Sequence, residues 1–208
     1  MGQINYEKFA EYDYILIDLD NTIYPECSFL DVAFRNIGIL IEEKFKIPSN
    51  KIHSYLISEF KKNGRSNLFD KLLKKFHIDT SFLCFLLDVL RNTILKDKVK
   101  MFPEAKKIIE FASKNGIKII VVTNGNVQQQ KNKVNSIDWG RANENLIFIY
   151  ANMYEPKPSK VLWNSISSNL ESHFSKGIMI GDSFIDQLFA RNLGIDFYFA
   201  EWGEASFE

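Results

Sequence analysis

Two aspartates one residue apart, Asp18 and Asp20, follow directly on the apolar run Tyr14-Ile15-Leu16-Ile17. Three later apolar runs also end in polar residues. The run 117–122 leads into Thr123-Asn124-Gly125, and 146–150 precedes Lys157 between Pro156 and Pro158. The run Ile178-Met179-Ile180 leads into Gly181-Asp182, with Asp186 four positions on. Carboxylates gathered from such ends into one region repel one another unless a hard cation neutralises them. Oxygen donors without His or Cys favour magnesium over zinc. A divalent ion, a lysine and a helix N-terminus together bind the negative oxygens of a phosphoryl group.

These residues share a region only if the apolar runs are neighbouring strands. Uninterrupted apolar character in 14–17 fits a central strand buried on both faces. The runs 117–122, 146–150, 178–180 and 197–199 fit four more strands. Helical stretches fall between them: from Pro103 to Lys114, closed by Asn115-Gly116; from Val127; after Pro158 to about Leu170; and over 185–191. Strands alternating with crossover helices predict a parallel sheet, whose ligands lie beyond the carboxyl ends of the strands.

Between the first and second strands the pattern changes. Leu30, Phe34, Ile37, Ile41 and Phe45 recur at helical spacing, and Ser49 or Asn50 is placed to cap a second helix running to Phe60. Further helices are expected over 68–76 and from Thr80 or Ser81 to about Leu95. The fold class is therefore α/β: a Rossmann-like three-layer parallel sheet core with an inserted all-helical cap. The core is expected over 1–23 and 98–208, and the cap over 24–97.

The composition narrows the partners. With 46% hydrophobic residues, and 26 basic against 26 acidic side chains, the chain is globular and formally uncharged. Net charge gives no reason to expect a nucleic-acid polymer or an acidic membrane. The longest nearly continuous apolar stretch, 82–90, is too short to span a bilayer. The beginning of the sequence lacks the basic start and apolar core of a secretory signal. Cys27 and Cys84 form no CxxC pair and no cluster with His53, His77 or His173, which argues against structural zinc and a disulfide framework. The expected location is cytoplasmic.

The four strand-end segments, Asp18-Leu19-Asp20-Asn21-Thr22, Thr123-Asn124-Gly125, Lys157-Pro158 and Gly181-Asp182-Ser183-Phe184-Ile185-Asp186, resemble in content and order the four motifs of the haloacid dehalogenase-like hydrolases. The segment 17–25 together with Thr123-Asn124-Gly125 looks most like the branch containing the pyrimidine 5'-nucleotidases. The resemblance implies that Asp18 is the nucleophile, forming an aspartyl-phosphate. It also implies that Asp182, Asp18 and the backbone carbonyl of Asp20 hold Mg2+. Asp20, two residues beyond the nucleophile, is placed to protonate the leaving alcohol and then to activate water.

Thr123 is expected to donate to a phosphate oxygen, with the backbone N–H of Asn124 and that of Gly125 beside it. Lys157 is expected to neutralise both phosphate and nucleophile. Asp186 has two readings, holding a metal-bound water or bracing Lys157. Thr22 has two as well, capping the turn or binding directly. Gln128, Gln129 and Gln130 form a polar helix start whose default contact is water.

In the cap, Tyr24, Phe29, Phe34, Arg35 and Phe60 are candidates for substrate specificity, set against ordinary cap packing for the aromatics and solvent for the arginine. The expected activity is magnesium-dependent hydrolysis of a small phosphomonoester, a nucleoside 5'-monophosphate by the narrower resemblance. A sugar phosphate is the alternative substrate, and a catalytically silent interaction protein is the alternative class.

Overall fold

The computed structural model describes residues 4–140, 146–168, 174–203 and 207. Five strands form one parallel sheet: β1 (Tyr14–Ile17), β2 (Lys118–Thr123), β3 (Leu146–Tyr150), β4 (Gly177–Gly181) and β5 (Asp196–Phe199). Their spatial order is β3-β2-β1-β4-β5, and every pairing is parallel. β1 is the central strand, and all four of its residues are buried, as an apolar strand covered on both faces requires. Order reverses at β1, so the crevice beyond its end is a topological switch point.

Alternation along the strands divides the core. Leu16, Ile120, Val122 and Met179 pack in one cluster with Leu162, Ile166, Phe189 and Ala190. The last four come from α7 (Val161–Ser167) and α8 (Phe184–Leu193). Their neighbours in sequence, Ile15, Ile17, Ile119, Val121, Ile178 and Ile180, are buried as well, and α5 (Pro103–Lys114) packs on β2. Pro103 opens α5 at its first turn, where its missing N–H costs nothing. The remaining core helix, α6 (Val127–Ser136), follows β2. The expected end of the helix near Leu170, like His173, lies outside the described residues.

The chain divides into two compact units, Met1–Pro25 with Lys98–Ala205, and Glu26–Asp97 with Ser206–Glu208. Among its described residues the second is helical, with α1 (Cys27–Phe45), α2 (Ser49–Asn63), α3 (Leu68–Lys75) and α4 (Leu83–Asn92). In α1 the buried Phe29, Leu30, Ala33, Phe34, Ile37 and Ile41 repeat at three- and four-residue spacing. Neither Ser49 nor Asn50 caps α2. Both lie inside the helix, and Pro48 takes the cap position without a side-chain bond. Asp79, not Thr80 or Ser81, caps the turn before α4 by accepting from the Ser81 N–H at 2.8 Å.

Division falls after Pro25 and not after Ile23, because Tyr24 is tied back to the first loop. Its carbonyl accepts from the Asn21 N–H at 3.0 Å and its hydroxyl donates to Asp20 at 2.9 Å. No helix among the described residues is long and apolar enough to cross a membrane.

Candidate active site

The β1 pairing extends one residue past the strand, since the Asp18 N–H donates to the Ile180 carbonyl at 2.9 Å. Asp18 is thereby fixed beside the end of β4, from which Asp182 and Asp186 follow. Ser183 caps α8: its hydroxyl accepts from the Asp186 N–H at 3.3 Å and donates to Asp186 Oδ2 at 2.5 Å. Gly181 makes this approach feasible, because a Cβ there would lie 2.5 Å from Asp186 Cβ and Cγ. Oxygen atoms of Asp18, Asp182 and Asp186 all lie within 4.8 Å of one another.

Lys157 reaches the centre of this group. Its ammonium, 2% exposed, donates to Asp18 Oδ1 at 2.5 Å, Asp186 Oδ1 at 2.6 Å and the Val122 carbonyl at 2.8 Å. Asn124 positions it from behind: its side chain donates to the Lys157 carbonyl at 3.0 Å and accepts from the Lys157 N–H at 2.8 Å. Asp186 contacts Lys157 directly, as bracing the lysine requires. One carboxylate oxygen meets the lysine and the other meets Ser183.

Burial dominates the electrostatics. It pushes Asp18 up to about 8, since the cost of desolvating the carboxylate outweighs the attraction of Lys157, and Asp186 adds repulsion. It pushes Asp182 up to about 6, with Asp186 again adding repulsion. Burial alone would discharge Lys157, but Asp18 and Asp186 overcome it and hold the lysine above its ordinary value. Three carboxylates around one ammonium leave excess negative charge. The donors are hard oxygens, and protonation is favoured where a cation would otherwise compensate. The residues therefore fit magnesium, with Asp18 and Asp182 as carboxylate donors and Asp186 committed to Lys157.

Asp20 stands apart from this cluster in its partners. Oδ1 accepts from Tyr24 and Oδ2 from the Lys133 ammonium at 2.6 Å. Lys133, in the last turn of α6, is wholly buried. No sequence motif marks this lysine. Lys133 stands three positions after Gln130, on the same face of the helix.

Thr123 is buried and donates to Gln130 Oε1 at 3.2 Å. The Gly125 N–H, expected beside the phosphate, instead donates to Asn152 Oδ1 at 2.8 Å. Gln129 and Gln130 are buried and not in water. Thr22 is fully buried, but its hydroxyl makes no hydrogen bond among the described residues, so the expected turn-capping bond is not formed. The loop is held there by its backbone, the Thr22 carbonyl accepting from Trp202 Nε1 at 2.9 Å.

The specificity candidates separate. Tyr24 is 1% exposed with its hydroxyl on Asp20, which removes it as a stacking platform. Phe29 and Phe34 are buried, and Phe34 and Phe60 line a cavity within the helical unit. Phe34 meets Phe60 edge-on at 6.1 Å between ring centroids and stacks on Phe207 at 6.0 Å. Arg35 is exposed and pairs with Asp31 at 2.8 Å, while His53 meets the same carboxylate at 2.7 Å.

Comparisons with known proteins agree with this architecture. Residues 15–200 match the family model described as haloacid dehalogenase-like hydrolase. No curated protein matches the sequence. Among solved structures, the candidate HAD-hydrolase YfnB from Bacillus subtilis, bound to magnesium, is 19% identical with a TM-score of 0.64, covering 90% of this chain and 86% of its own. A candidate phosphoglycolate phosphatase from Lactobacillus delbrueckii subsp. bulgaricus is 18% identical with a TM-score of 0.60, covering 92% and 87%. A HAD hydrolase of family IA, variant 3, from Entamoeba histolytica is 17% identical with a TM-score of 0.61, covering 93% and 86%. At these identities the structural likeness speaks for the fold, and the family match extends over nearly the whole sequence. The chain belongs to the haloacid dehalogenase-like hydrolases.

Proposed function

We propose that this protein is a magnesium-dependent phosphomonoester hydrolase acting through an aspartyl-phosphate on Asp18. The observation that carries this reading is the buried Lys157 ammonium bridging Asp18 and Asp186, with Asp182 alongside. Asp18, Asp182 and the backbone carbonyl of Asp20 would hold Mg2+. The ion supplies positive charge that keeps the carboxylates ionised and shields the phosphoryl oxygens from them.

In the first half-reaction an Asp18 carboxylate oxygen attacks phosphorus and the ester P–O bond breaks. Asp20 delivers a proton to the departing oxygen. In the second, water attacks phosphorus, Asp20 accepts its proton, and the bond between phosphorus and Asp18 breaks to release phosphate. Lys157 steadies Asp18 and the phosphoryl charge throughout, with Asp186 and Asn124 holding it in place. The Thr123 hydroxyl exchanges Gln130 for a phosphate oxygen, and the Asn124 N–H donates beside it.

The helical unit, inserted after the first motif, serves as the cap that chooses the substrate. The substrate is a small phosphorylated metabolite, and the resemblance of residues 17–25 to the nucleotidase branch selects a nucleoside 5'-monophosphate. Small phosphate esters are soluble metabolites, and the two free cysteines suit the cytoplasm as the location. Phosphate release from a panel of esters, with magnesium and with EDTA, tests the proposal. Turnover that requires magnesium and favours UMP, CMP or dTMP supports it. Preference for hexose phosphates would reject the nucleotide, and no hydrolysis of any ester would reject the phosphatase.

A further inference from the structure

Each of the two first-motif aspartates has its own buried lysine. Lys157 binds Asp18 and Asp186, and Lys133 binds Asp20. An ammonium removed from water persists only when a carboxylate and hydrogen bonds compensate it. Lys133 is 0% exposed and its partner Asp20 keeps 18% of its side chain accessible, so the pair is anchored at the lysine end.

The anchor is itself fixed from two directions. Asn126 caps α6 by accepting from the Gln129 N–H at 3.1 Å. One turn along, Gln130 accepts from the Thr123 hydroxyl and so ties the helix to the end of β2. Lys133 follows on the same helical face. On the opposite oxygen, Tyr24 donates from the turn that begins at Asn21, where φ is 57°. A carboxylate oxygen offers two acceptor positions, so a donor on each oxygen fixes the group without exhausting its capacity.

We propose that Lys133, with Tyr24, is a positioning residue for the acid–base carboxylate: it holds Asp20 at the angle from which a proton passes to the leaving oxygen and returns from water. This rests on the proposed phosphatase reading. Lys133 acts through Asp20 and makes no contact with the substrate. Its removal should therefore harm only the steps that need the Asp20 proton.

The test compares two esters in magnesium: p-nitrophenyl phosphate, whose phenolate leaves with little help from an acid, and glycerol 3-phosphate, whose alkoxide needs the proton. Lys133→Met should lower kcat/KM, which reports only the half-reaction that expels the leaving group, on the alkyl ester by about 10²-fold, the lower end of a general-acid contribution. On the nitrophenyl ester the loss in kcat/KM should stay below about 10-fold, while kcat falls on both esters because they share the water step. Lys133→Arg should recover part of the alkyl-ester rate. In an Asp20→Asn background Lys133→Met should add nothing, as expected of two residues acting as one unit. If Lys133→Met does not fold by circular dichroism, Tyr24→Phe carries the same test, since it removes one hydroxyl from the same carboxylate.

Equal losses of kcat/KM on both esters, or losses that add in the double variant, would overturn the proposal while leaving the phosphatase reading intact. A folded wild type that hydrolyses neither of these esters nor any other of the panel would overturn both.

Discussion

Asp18 and Asp182 are ionisable groups whose burial works against the charge that the chemistry needs. Both are pushed up, to about 8 and about 6, chiefly by desolvation. Magnesium at the proposed site would compete with protons for them, so its apparent affinity should rise with pH across that window. Stability follows the same linkage. A carboxylate whose value is higher folded than unfolded binds more protons in the native state, so its contribution falls as pH rises from about 4 towards 8. The metal-free protein should lose melting temperature over that range, and the gain on adding magnesium should be larger at pH 8 than at pH 6. Melting curves with and without magnesium at the two pH values check this; a gain independent of pH would contradict it.

These residues were legible in the sequence because each follows an apolar run. Lys133 was not. Nothing in Gln129-Gln130-Lys131-Asn132-Lys133 separates a lysine aimed at Asp20 from one aimed at water until α6 is packed against the sheet. The roles of Tyr24, Phe29 and Phe34 also depended on packing, since ring type and spacing read the same for a core residue and for a stacking platform.

At the scale of the element, position comes from short, specific contacts. The last residue of β4 and the first turn of α8 must almost touch for Asp186 to reach Lys157. Gly181→Ala would put a methyl 2.5 Å from Asp186 Cγ, in a strand buried throughout. Relief requires shifting either the helix or the carboxylate, at a cost of about 1–3 kcal/mol from overpacking. The variant should melt several degrees lower and lose most of its activity, because Lys157 loses its brace. Differential scanning fluorimetry and a phosphatase assay measure the two effects, and a wild-type melting temperature would contradict the packing argument.

The strands were plain in the sequence, and β1 and β3 match the runs 14–17 and 146–150. Apolar content and length are local properties, and a parallel strand displays both. Helix caps were less legible. Pro48 and Asp79 took the positions expected of Ser49 or Asn50 and of Thr80 or Ser81. Adjacent polar residues offer similar oxygens, and the backbone path decides among them.

For the molecule as a whole, the α/β rhythm broken by a helical stretch forecast a parallel sheet and an insertion. The place of Phe207 in the helical unit had no such signal. Phe207 joins that unit through ring contacts with Phe34 and Phe60, and a contact so distant in sequence leaves no periodic trace. The sheet order explains why one site draws on all four motifs: β1, β2 and β4 are adjacent, and β3 delivers Lys157 from beyond β2.

Acid-quenching the enzyme during turnover of a 32P-labelled ester in magnesium shows whether the phosphoryl group passes through Asp18. Hydroxylamine-sensitive label on the peptide carrying Asp18, abolished in Asp18→Asn together with turnover, is the predicted result. Undiminished hydrolysis by Asp18→Asn, or label held by another residue, would contradict it.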